Sequence, residues 1–214
     1  MATTPLIETR VWREGPTLAL RELVPADAGA LEPILGDADV MRHIDLGTLD
    51  AEGVAALLAQ ATADQEDPAR HSYRLGIVQR SDSALVGTIA MDIQGLSNAH
   101  SHSIILRPGM ANLTAGFEAV HLILGVAFEQ LGLSHVWCTC YADNIVATRL
   151  FLAAGGALQA EPAQGFHFFS ILKDQWREVS SLTLREALTL LRRNGSVSPA
   201  RRPVDPGRGA RDPD

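Results

Sequence analysis

The stretch "RPGMANLTAGFEAVHLILGVAFEQLGLSHV", residues 107–136, decides how this chain folds. Pro108 and Gly109 close one apolar run, and Ser134 leads into the next. Between them Val120, Ile123, Leu124, Ala127, Phe128 and Leu131 recur at i, i+3, i+4 and i+7 spacing, which predicts an amphipathic helix lying on a sheet. Gly132 followed by Leu133 predicts a Schellman ending, with glycine at the left-handed position and leucine covering the last turn. "HSHSIILRP" (100–108) before the helix and "SHVWCTCY" (134–141) after it read as strands. Strand, helix and strand in that order imply a parallel pair joined by a right-handed crossover. The helix start near Thr114 presents unpaired N–H groups and the positive end of its dipole, which together attract phosphate. Glycine serves such a turn best because backbone must approach the ligand. Only Gly109 and Gly116 stand here, and Arg107 is the nearest cation.

Outward from this unit, "TLALREL" (17–23) alternates as a strand and stops at Pro25. "ADAGALEPILGDADVMRHI" (26–44) gives helical pieces, interrupted by Pro33 and Gly36. "DAEGVAALLAQATADQ" (50–65) is a second helix with Asp50 as its N-cap. "SYRLGIVQR" (72–80) and "ALVGTIAMDIQ" (84–94), joined by the polar "SDS", form a hairpin. Downstream, "ADNIVATRLFLAAGG" (142–156) is a helix capped by Asp143 or Asn144 and ended by Gly155, and "GFHFFSILKDQW" (165–176) is a strand running into a short turn. Leucines at helical spacing in "LTLREALTLLRRN" predict a last helix over about 182–193. Residues 195–214, rich in Pro, Gly and Arg, have too little apolar surface to offset ordering and read as a disordered tail. The chain thus divides into an N-terminal extension (1–16), a mixed domain (17–178), a C-terminal helix (179–194) and the tail.

Composition excludes several classes. A net charge of -7 argues against a nucleic-acid partner, whose phosphates select for concentrated Lys and Arg. No apolar run reaches the roughly 18 residues of a membrane span. The opening "MATTPLIETRV" lacks the basic and apolar regions of a signal peptide, so the cytoplasm is the expected compartment. Cys138 and Cys140 share one strand face, a geometry that does not favour a bridge, and no partner stands at metal-finger spacing. They read as buried small hydrophobes. No metal site is expected.

The order of these elements resembles the GNAT superfamily of acyl-CoA-dependent N-acyltransferases, in particular the branch that acetylates ribosomal-protein N-termini. The likeness runs through about 17–178 and rests on "TLALRELVPADAGALEPILGDADVMRHI", the hairpin "YRLGIVQRSDSALVGTIAMDI", the Asn-led helix "NIVATRLFLAAGG" and the closing "FHFFSILKDQW". It implies an α/β (α+β) fold, a mixed, mostly antiparallel central sheet with one β-α-β parallel crossover and flanking helices. It also implies acetyl-CoA or another acyl-CoA as co-substrate, a small-molecule or peptide amine as acceptor, and a monomer or homodimer.

The resemblance places the CoA site on Ile105, Leu106 and Arg107, whose backbone would pair with pantetheine, on Ala111, Thr114, Ala115, Gly116 and Phe117 at the diphosphate, and on Asn144. The loop departs from the family pattern of Arg or Gln, two residues, Gly, any residue, Gly or Ala. Those positions are Ala111, Thr114 and Gly116, and only the last matches, while Asn112 replaces a further common glycine. The family's acidic base position falls on Ser101; His100 and His102 flank it and point to the opposite face, and Asp92 ends the preceding strand. His102, Ser101 and Asp92 are the catalytic candidates. The usual proton donors to the leaving thiolate are replaced by Ala147 and Phe151. Two alternatives accompany the acyltransferase reading. One is an enzyme of different chemistry (decarboxylase, lyase or hydrolase) using His102, Asp92 and Cys138; the other is a non-catalytic ligand-binding protein of the same fold.

Overall fold

The structure, a computed structural model, describes residues 10–159 and 165–193. The expected disordered tail, 195–214, lies outside the described residues. One sheet is built from β1 (Val11–Glu14), β2 (Leu18–Glu22), β3 (Ser72–Gln79), β4 (Leu85–Gln94), β5 (Asn98–Leu106), β6 (His135–Tyr141), β7 (Ala157–Leu158) and β8 (Phe166–Leu172). Their order across it is β1-β2-β3-β4-β5-β6-β8-β7. β5 and β6 run parallel and the other neighbours antiparallel. This is the mixed α/β architecture the sequence predicts.

Helices cover both faces. α1 (Ala28–Leu35), α2 (Ala38–Met41) and α3 (Ala51–Glu66) enclose a core of Leu31, Leu35, Val54 and Leu58 against Ala19, Val78 and Ile105 of the sheet. α4 (Leu113–Gly125), α5 (Ile145–Ala153), α6 (Lys173–Val179) and α7 (Leu184–Arg193) enclose the larger core on the other face. The crossover helix brings Val120, Ile123, Leu124 and Phe128 into that core, each nearly inaccessible. No helix among the described residues is long and apolar enough to cross a membrane.

Several local predictions are corrected. Pro33 does not interrupt α1. Its missing N–H would have met the carbonyl of Gly29, and both residues face water, which satisfies the freed carbonyl. The crossover helix ends in a wide π turn, Val126–Gln130, before Gly132 takes φ +71° and Leu133 N–H bonds Ala127 at 2.9 Å. Beyond β8 the chain forms the helix α6 rather than a short turn, because Trp176 and Val179 are buried, Trp176 against Phe128 at the end of the crossover helix. The sheet also begins before Thr17. β1 pairs with β2, and buried Trp12 donates through Nε1 to Glu22 at 2.7 Å, which also holds Arg70 at 2.5 Å.

Two features fix the site. Glu118, on α4, accepts from Thr17 N–H at 2.7 Å, Leu18 N–H at 2.8 Å and the Thr17 hydroxyl at 2.6 Å, tying the crossover helix to the start of β2. A β-bulge in β5 breaks the register with β4 between Ala90↔His102 and Thr88↔Ile105. Ser103, within it, takes φ 55°, a left-handed conformation uncommon for a residue with a side chain. The extra residue reverses the alternation, so His102 and Ile105 both face the α1–α3 side. Gly87 permits the close approach of the strands there, since a Cβ on it would lie 2.0 Å from the Ile105 carbonyl oxygen.

Candidate active site

The ladder between β5 and β6 ends at Ser101↔Cys138, yet β5 continues to Leu106 and β6 to Tyr141. Strands that continue without pairing leave backbone donors and acceptors open to a ligand. A cleft of about 490 Å³ fills this gap, lined by Ile105, Leu106, Ala111, Asn112, Gly116 and Asn144 among others. Of the residues expected to hold CoA, the structure gathers Ile105, Leu106, Ala111, Gly116 and Asn144 on its wall; Arg107, Thr114, Ala115 and Phe117 do not line it. Arg42, at the end of α2, does line it, and no periodicity or motif pointed to that cation.

The helix start differs from expectation in a way that bears on phosphate binding. Asn112, not Thr114, is the N-cap of α4, and its Oδ1 accepts from Thr114 N–H and Ala115 N–H, both at 3.0 Å. These are orphan donors of the first turn, so the chain satisfies with its own side chain the groups a diphosphate would use. Gly116 also faces α5: a Cβ would sit 2.7 Å from Leu150 Cδ1, so that side chain packs into the space the glycine leaves. Asn144 caps α5, accepting from Ala147 N–H at 3.0 Å. These observations test the fit of CoA. The open edge of β5 suits a pantetheine arm, whereas the diphosphate end meets donors already engaged.

A second pocket, about 510 Å³, opens on the same side of the sheet and shares His43, Ile44, His102, Ser103, Thr139 and Cys140 with the cleft. Its floor carries Arg74, Asp92, His100 and His102. These residues share a face because Arg74 pairs with Ala90 and Ala90 with His102, while Asp92 pairs with His100. The loop after α2 covers the pocket, and Tyr141 donates its hydroxyl to Asp45 at 2.5 Å while His43 lies 3.4 Å from Asp143.

At the junction of the two cavities, His102 Nε2 lies 3.0 Å from Asp92 Oδ2 and its Nδ1 lies 2.8 Å from Ser103 Oγ. An ionised carboxylate only accepts, so Nε2 carries the proton and donates to Asp92, and Nδ1 accepts from the Ser103 hydroxyl. Burial lowers the His102 pKa, opposed by the Asp92 carboxylate and assisted by Arg74. His100, stacked 3.8 Å from Trp137, is pushed down to about 4 by burial and by neighbouring His102, against the pull of Asp92. Both imidazoles are therefore neutral at pH 7, and the basic lone pair of His102, at Nδ1, is engaged by the Ser103 hydroxyl.

Sequence reasoning thus placed His102 and Asp92 where the structure brings them together. It did not foresee Ser103, because a bulge leaves no mark on alternation. Ser101 is 4% exposed and faces away from both cavities, toward the α4 side. Of the cysteines, Cys138 is sealed in the core, where burial pushes its thiol well up, and Cys140 is the one that reaches the cavities. Among the described residues no group of His, Cys, Asp and Glu is arranged to hold a metal ion.

Comparison with known proteins bears on the family and the fold. Residues 17–157 match the acetyltransferase (GNAT) domain family. The "Uncharacterized N-acetyltransferase YoaA" of Bacillus subtilis is 26% identical over 161 residues, covering 71% of this chain and 82% of that protein. An acetyltransferase (GNAT family) from Bacillus anthracis superposes with a TM-score of 0.64 at 18% identity, covering 75% of this chain and 98% of its own. A GCN5-related N-acetyltransferase from Brucella melitensis gives 0.65 at 16% identity, covering 86% and 96%. At such identities the structural likenesses speak for the fold alone.

Proposed function

The chain belongs to the GNAT acetyltransferase family, and we propose that it moves an acyl group from CoA, acetyl-CoA first among the candidates, to the free amine of a small molecule or a peptide. The observation that supports this most is the meeting of the two cavities at His102, one bounded by an open strand edge and the other lined by polar groups. The acyl-CoA would supply a carbonyl carbon activated by a good leaving group, a thiol. The backbone of Ile105, Leu106 and Arg107 and the Asn144 side chain would hold the pantetheine arm; the diphosphate would lie at the start of α4, over the stretch from Ala111 to Phe117, of which Ala111 and Gly116 line the cleft.

On the acceptor side, His102 Nδ1 takes the proton of the attacking amine, directly or through the Ser103 hydroxyl that it already contacts at 2.8 Å. Asp92 fixes the tautomer and favours the imidazolium that forms. The two usual acid positions on α5 hold Ala147 and Phe151, which cannot give a proton; catalysis then rests on positioning and on His102. A peptide amino end, as in the ribosomal-protein branch, and a small amine are both acceptors of this kind.

One observation favours a second reading. Asp92, His102 and Ser103 form a continuous chain ending in a hydroxyl on strained backbone, as in hydrolases that use serine. Two measurements separate the readings. A rise in melting temperature with both CoA and acetyl-CoA supports acyl transfer, and no rise at millimolar CoA sinks it. CoA release from acetyl-CoA that needs no amine, and that Ser103→Ala abolishes, selects hydrolysis.

A further inference from the structure

Among the described residues four buried side-chain polar atoms lack a hydrogen-bond partner: Arg74 Nη1, His100 Nε2, His121 Nε2 and Trp176 Nε1. Two of these, Arg74 Nη1 and His100 Nε2, belong to residues that line the floor of the second pocket. Buried polar atoms are satisfied in the great majority of native proteins, and two without partners on residues of one cavity floor point to a ligand that completes them after a small side-chain shift. Arg74 is the stronger case. Burial lowers its pKa while Asp92 and Asp64 raise it, yet neither carboxylate comes within ion-pair distance. Asp64 is engaged by Gln60 at 2.8 Å and Asp92 by His102.

We propose that the acceptor is an amine bearing a carboxylate, an amino acid or a close relative, whose carboxylate is received by Arg74 and His100 while its amine faces His102 and Asp92. The inference rests on the reading of this pocket as the acceptor site. A guanidinium pairs two-pronged with a planar carboxylate, and a neutral His100 with its proton on Nε2 donates a further bond. Arg74 and His102 lie two strands apart in one row, about 10 Å between their backbones, with the small side chain of Ala90 between them. That opening admits a zwitterion lying across the row. The charges match it as well, since the pocket sets a cation (Arg74) and an anion (Asp92) on one floor. An acceptor without the carboxylate leaves both buried atoms unsatisfied, which discriminates strongly against it.

The test uses the full chain and matched probes: α-amino acids, each beside its primary amide, its decarboxylated amine and its aminophosphonate. Binding is read by thermal shift with the acceptor probe alone, and turnover by CoA release from acetyl-CoA. At least one amino acid is expected to bind about tenfold or more tightly than its amide and its amine. Arg74→Gln should erase that preference and Arg74→Lys should keep part of it, both with the CoA-induced shift unchanged. His100→Phe, which preserves the stacking on Trp137, should weaken carboxylate binding by several-fold. Amides that bind as well as amino acids, a preference surviving in Arg74→Gln, or no binding of any carboxylate would each overturn the proposal. A preference for the phosphonate would replace carboxylate by phosphate as the anion and overturn it in that respect. Absence of a CoA shift alongside carboxylate-selective binding would instead overturn the acceptor role and leave only the carboxylate site at Arg74 and His100.

Discussion

Asn112 gives a prediction in which stability and ligand affinity move in opposite directions. Its Oδ1 holds Thr114 N–H and Ala115 N–H at 3.0 Å each, and a bound diphosphate would have to displace it. An Asn cap is worth about 1 kcal/mol, so Asn112→Ala should destabilise the free protein by that amount, about 2–4 °C in melting temperature for a domain of this size. Asn112→Gly should cost only a few tenths of a kcal/mol. In both variants the two donors are free, and CoA no longer has to break the resident bonds. About 1 kcal/mol of lost competition corresponds to roughly fivefold tighter CoA binding. Asn112→Asp keeps the cap but places a negative charge against the phosphates, so CoA should bind more weakly than to the original chain. Calorimetric titration with CoA, and with pantetheine as a control lacking the diphosphate, reads these effects. Pantetheine affinity should stay constant across the series. Weaker CoA binding by both the Ala and Gly variants, or an equal gain for pantetheine, would refute the placement of the diphosphate at this helix.

Three further outcomes follow from the structure. His102→Gln should lower kcat by about 10²- to 10⁴-fold while leaving the CoA-induced thermal shift intact. Because burial lowers the His102 pKa, kcat should fall only as pH drops below the ordinary histidine value of 6.5; Asp92→Asn removes the group that opposes this shift and should move the acid limb lower still. An acid limb that is unmoved in Asp92→Asn would show that His102 is not the titrating base. Glu118→Ala should cost about 1–3 kcal/mol in chemical denaturation, chiefly because Leu18 N–H, in a buried residue, loses its acceptor. Glu118→Gln, which keeps one acceptor oxygen, should lose less, and equal stability of all three chains would remove the clamp from the account.

What the sequence by itself determined was the succession of elements and the face each one buries. The apolar spacing from Val120 to Leu131, the alternation of β3 and β4, and the cap at Asp50 are local signals, read correctly because propensity and burial agree there, and of the two caps offered for α5, Asp143 and Asn144, the structure uses Asn144. The resemblance carried by those elements also brought His102, Asp92 and the β5 edge into view. Local signals were less informative where tertiary packing competed with them. Thr114 and Asn112 are both capping residue types, and only the path of the chain from Pro108 decided which side chain reaches the helix start. Nothing in "HSHSII" marks a bulge, because the bulge exists only through pairing with β4 and the close approach that Gly87 allows. Arg74 sits thirty or so residues from His102 in sequence and reads as an ordinary exposed strand residue until the sheet register places both on one floor. Periodicity is a property of neighbours along the chain, and it could assign Ser101 and His102 to opposite faces. Which face holds the cavity, and which buried groups there lack partners, is set by helices that pack from elsewhere in the chain, and that only the tertiary structure decided.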